Sequence, residues 1–242
     1  MGVMMEGGKP GWYDALNGMP GMFGSSMNES YELLRMIRFT KEAISKFDAE
    51  ITLPTDSIEF IESLKDIETR YTSDFDLWDN RNAALEGYRD EVYGKLFDEE
   101  KTISSEEAVE ILGLMEKRLE KGVSKAFDLG KGIAPGYFTF EVPEYDKKED
   151  GIYPKSLKVQ NVPYFLEGPV RFFKLENTYD EKKKIYDRIK DSDLFDKKLS
   201  MYKVNASLEN ASFEFGRCKS SHPDGLRTSQ SGSTWSTSTC LS

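Results

Sequence analysis

Apolar residues recur at helical spacing through four successive stretches before residue 130, and this limits the fold more than any other feature of the chain. In residues 26–47, Ser26 stands at the N-cap position with Glu29 three residues on, the signature of a capping box. Tyr31, Leu34, Ile37, Phe39, Ala43 and Ile44 then supply an apolar face. Residues 48–54 break the pattern. Thr55 or Asp56 caps a second helix over 56–70, with Ile58, Ile61, Leu64 and Ile67 on one stripe. A third is expected over 75–97, carrying Leu77, Trp78, Ala84, Leu85, Tyr88, Val92 and Leu96. A fourth starts at Ser104 or Ser105 with Glu107 and runs to about Leu129, where Gly130 and Gly132 stop it. Long helices joined by short breaks predict a mainly α chain, a toroid or a bundle.

The texture changes after residue 132. Pro135, Pro143, Pro154, Pro163 and Pro169 punctuate a stretch rich in aromatic and β-branched residues. This reads as a small β-rich insert, about residues 133–175, with extended segments at Tyr137–Val142 and Gln160–Phe165. A short helix is expected at 178–190 and a last strand near Leu199–Val204. Residues 1–219 then form one helical domain with an insert. Four long helices are too few to close a double ring, so the expected architecture is part of one.

The formal net charge of −10 argues against nucleic acid and anionic membrane surfaces as partners. Cys218 and Cys240 form no CxxC pair, so no disulfide framework or zinc site is indicated. The opening MGVMMEGGKPG lacks a basic stretch followed by an apolar one, so no signal peptide is read there, and no apolar run is long enough to span a bilayer. These features fit a cytoplasmic protein.

The chemistry concentrates in residues 7–33, GGKPGWYDALNGMPGMFGSSMNESYEL. A Gly/Pro-rich loop holds Asp14 beside Trp12 and Tyr13, with Asn17 following, and runs into the first helix. Loops on a rigid scaffold are where catalytic groups concentrate. Aromatic faces stack on pyranose rings, so one carboxylate between aromatics suits a sugar site. Partial desolvation by Trp12 and Tyr13 would raise the Asp14 pKa, as an acid working near neutral pH requires. Asp14 equally fits a turn, and Asn17-Gly18 is a common turn dipeptide.

The string Trp12, Tyr13, Asp14, Ala15, Leu16, Asn17 resembles the W-N-D-x-x-N general-acid motif of the inverting glycoside phosphorylases of the cellobiose phosphorylase type, with Tyr13 where the family has Asn. Leu208 to Arg217, LENASFEFGR, resembles the segment leading into that family's phosphate-binding region. The resemblance rests on these two short motifs and the helical spacing between them. It implies a six-hairpin (α/α)6 barrel and phosphorolysis of a β-glucosidic bond with inversion, giving α-glucose 1-phosphate. It assigns Asp14 as general acid, Trp12, Tyr13 and Asn17 to the sugar, and Arg217 to phosphate. The partners are an oligosaccharide and inorganic phosphate, with no metal or organic cofactor. Members of this family often pair, so a homodimer of the full-length protein is expected too. Because phosphate is itself the nucleophile, only one protein carboxyl is needed, to protonate the leaving oxygen. A hydrolase on the same scaffold needs a second carboxylate, ~6.5–9.5 Å away, to activate water. Glu29, Glu167 and Glu209 are candidates for it. A non-catalytic carbohydrate-binding helical module is the third reading.

The tail differs from everything before it. From Ser220 to Ser242, 12 of 23 residues are Ser or Thr, only Asp224 and Arg227 are charged, and His222 is the single histidine. Such a composition predicts a disordered segment. It also fits a lost reading frame. Back-translation of His222–Thr239, read from each third base, permits SPGWLENESIWLHMEYKY, which is helix-like and resembles the family's P-G-x-x-E-N-G-G-x-x-x-H segment. On this reading the chain is a fragment of a longer phosphorylase that lost its frame near Lys219 to Ser221. Sequencing the coding DNA past Phe213 is expected to show that third-base frame open, beginning PGWLENES. The chain as written is expected to release no glucose 1-phosphate; robust release by it, or immediate closure of the frame, would overturn this reading.

Overall fold

The computed structural model describes residues 2–4, 24–95, 99–149, 151–175 and 177–211. The chain is mainly α among these residues, with six helices and three small antiparallel sheets. It divides into two units. The first comprises residues 1–35, 118–141 and 158–242; the second comprises 36–117 and 142–157.

In the first unit, β1 (Val3–Met4) pairs with β2 (Gly24–Ser26), and β2 pairs in turn with β5 (Tyr137–Lys147). β6 (Ile152–Asn161) completes the sheet, in the order β1-β2-β5-β6. Ser25 is the register partner of Met4 on one side and Phe138 on the other. α1 (Met27–Phe47) starts directly from β2, and the Met27 amide donates to the Gly136 carbonyl at 2.9 Å. Met27, Tyr31 and Leu34 lie one helical turn apart and are all buried. They meet Ala126 of α4 (Ser105–Leu129), Phe138, Phe172 of α5 (Glu167–Phe173), and Ile185 and Ile189 of α6 (Tyr179–Asp191). Phe172 packs edge-on against Tyr31 and Phe127, with ring centroids 5.6 and 4.9 Å away. Thr178 and Glu181 close a full capping box on α6. β7 (Phe195–Asp196) and β8 (Met201–Tyr202) form a two-stranded ribbon.

As expected, glycines end α4. Gly132 adopts φ +97°, which favours glycine, and its amide donates to the Phe127 carbonyl at 2.8 Å. A Cβ on Gly130 would lie 1.9 Å from the Ile133 carbonyl oxygen.

In the second unit, β3 (Ile51–Pro54) pairs with β4 (Glu100–Ile103), and α2 (Thr55–Arg70) packs on α3 (Asp74–Val92). Ile44, Ile58, Ile103, Ala108 and Ile111 form its core. Tyr88 stacks on Phe60 at 4.6 Å, and its hydroxyl lies 3.0 Å from that of Ser57. Glu116 holds Arg38 at 2.8 Å and Lys41 at 2.5 Å across α1 and α4.

Several elements depart from the sequence expectation. The third helix ends at Val92, four residues after Tyr88, rather than near 97. Residues 48–54 are not merely a break, since they contain β3. The first extended segment belongs to a longer strand, β5, which runs on to Lys147, whereas the second is misplaced: β6 covers Ile152–Asn161 and holds only Gln160 and Asn161 of the expected Gln160–Phe165. α5 lies where only extended chain was expected. Phe138 is completely buried, so Phe138→Ala is expected to destabilise the first unit by about 3–5 kcal/mol, read as a lower urea midpoint; an unchanged midpoint would place the core elsewhere.

Candidate functional site

The segment singled out from sequence lies between β1 and β2 in the chain and is itself outside the described residues. Residues 5–23 leave from β1 and return to β2, and these two strands are hydrogen-bonded neighbours. The strand pair therefore closes the base of the segment that carries Asp14.

The head of α1 beside this base is unusually polar for a buried region. Ser25, Ser26, Asn28 and Ser30 are each no more than 3% exposed. Ser30 joins the two ends of the segment: the Val3 amide donates to its Oγ at 2.8 Å, and the Oγ donates to the Ser26 carbonyl at 2.6 Å. Ser26 caps the helix loosely, accepting from the Glu29 amide at 3.4 Å. The Asn28 side-chain amide donates to the Tyr137 hydroxyl at 3.1 Å. Gly136 and Gly168 lie close to Asn28, where a Cβ on either would make an ordinary contact, 3.4 Å from its Oδ1. The Ser25 hydroxyl is buried with no hydrogen-bond partner among the described residues.

An ionic cluster joins α1 to α5. Arg171 donates from Nη1 to Glu32 at 2.7 Å and from Nε and Nη2 to Glu167 at 2.9 and 2.7 Å. Arg35 lies 3.1 Å and Lys174 3.9 Å from the same Glu32 carboxylate. Burial pushes the Glu32 carboxyl up, but the Arg171 hydrogen bond and the charges of Arg35, Arg171 and Lys174 together hold it below the ordinary value. The hydrogen bond to Glu32, above all, raises Arg171 in turn. Glu32 is thus an ionised anchor near neutral pH and no proton donor.

Of the carboxylates considered for a second catalytic role, Glu167 is bound by Arg171, Glu29 is exposed on the first turn of α1, and Glu209 is exposed in a turn. Trp12, Tyr13, Asp14, Asn17 and Arg217 lie outside the described residues, as do residues 220–242. Among the described residues no group of His, Cys, Asp and Glu side chains could hold a metal ion, and no helix is long and apolar enough to cross a membrane. The sequence reading found Ser26 as a cap but missed the buried run around it and the Glu32–Arg171 pair, whose partners are 139 residues apart.

Neither the known protein-family models nor the curated proteins contain a match to this chain.

The acid limb of stability follows from Glu32. Its folded pKa is lowered, so the unfolded chain binds the proton more readily; the stabilisation is complete above the ordinary carboxylate pKa and is lost as pH falls through the lowered value. Glu32→Gln is expected to cost about 1–3 kcal/mol at pH 7, with the difference from the parent chain shrinking below about pH 4. Urea midpoints across a pH series check this, and a pH-independent difference would remove the ionic cause.

Proposed function

We propose that this chain carries the general-acid portion of an inverting β-glucoside phosphorylase, arranged as an arc of an (α/α)6 barrel. The observation that carries the reading is the β1–β2 pair, which fixes both ends of the Asp14 segment at the head of α1. A tethered loop on a helical scaffold can hold an acid in one place relative to a bound sugar. The exposed apolar face of α1 adds support. Met36, Phe39 and Phe47 are 62, 72 and 74% exposed, the kind of surface an incomplete ring of helices leaves bare.

In this reading an oligosaccharide lies against Trp12 and Tyr13, with Asn17 bonding a sugar hydroxyl. Inorganic phosphate, held by Arg217, attacks the anomeric carbon from the face opposite the leaving group. The new bond joins phosphate oxygen to the anomeric carbon as the glycosidic bond breaks. Asp14 gives its proton to the departing oxygen, so the shortened sugar leaves as an alcohol and the glucosyl unit as α-glucose 1-phosphate. The reaction needs no metal or organic cofactor. Positioned acid catalysis of this kind contributes roughly 10²–10⁴ in rate.

The test uses the frame-restored protein with a panel of β-glucosides. Glucose 1-phosphate is expected in phosphate buffer and no product without phosphate. Asp14→Asn is expected to lower kcat at least about 100-fold while sugar affinity is kept. Free glucose released without phosphate would replace the proposal with a hydrolase. Sugar binding without any turnover would replace it with a binding module.

A further inference from the structure

We draw no further inference here: the strongest candidate, the exposed apolar stripe of Leu33, Met36, Phe39 and Phe47 along α1, is an unpartnered helix face, and nothing in the structure shows what covers it.

Discussion

The antiparallel pairing of β2 is the constraint on which the first unit depends. Of its three residues, Gly24–Ser26, all pair with β5 on one side, and Ser25 and Ser26 pair with β1 on the other. Because α1 begins at the next residue, the same pairing sets where the helix starts and which way it leaves the sheet. The Met27 amide fastens that start to Gly136. Met27, Tyr31 and Leu34 can then face Phe138 and Phe172 together, as a single buried cluster. A slip of one residue would turn the sheet's inward set outward and leave Ser30 unable to serve both Val3 and the Ser26 carbonyl. The strength of the arrangement lies in this shared register, since no single bond in it exceeds an ordinary hydrogen bond.

The helices were legible because their signals are local. Ile58 in α2 and Ile111 in α4 sit on stripes of period 3.6, and the capping residues of α1 and α4 and the glycines after Leu129 mark ends within one turn. β3 was illegible for the opposite reason. Ile51–Pro54 is too short to show alternation, and its partner β4 lies almost fifty residues away. The hairpin was only half legible. Pro143 and Pro154 read as breakers, yet both lie within strands, Pro143 in β5 and Pro154 in β6, and β6 is an edge strand, where a missing amide is tolerated. α5 contains Gly168 and Pro169, which count against a helix in any local scale. Tertiary burial of Phe172 overrides that cost.

The same division holds at the candidate site. Small polar residues before a helix read as caps, and Ser26 does cap. Nothing local says that Ser25, Asn28 and Ser30 are buried as well. That follows only from distant pairing: β5 beside Ser25, Tyr137 on Asn28, and the Val3 amide on Ser30. The Glu167–Arg171 contact has helical spacing, but the reach of Arg171 to Glu32 depends on α5 existing and on where it packs. Asp14 is proposed from its aromatic neighbours and a partial motif alone, and it lies outside the described residues. The structure adds the sheet that ties the ends of its segment together.

The division of the chain has a consequence for its birth on the ribosome. The path passes between the two units four times, inside α1, α4, β5 and β6, so neither unit is one continuous stretch of the gene. β1 and β2 emerge early, yet β5, which covers β2, follows more than a hundred residues later. At roughly 5–20 residues per second, the nascent strand waits on the order of ten seconds for its partner. Through that interval the second unit's core, Ile44 to Ile111, is already being synthesised in full. The order of completion thus runs opposite to the order of starting: the unit begun first is the last to have all its residues made.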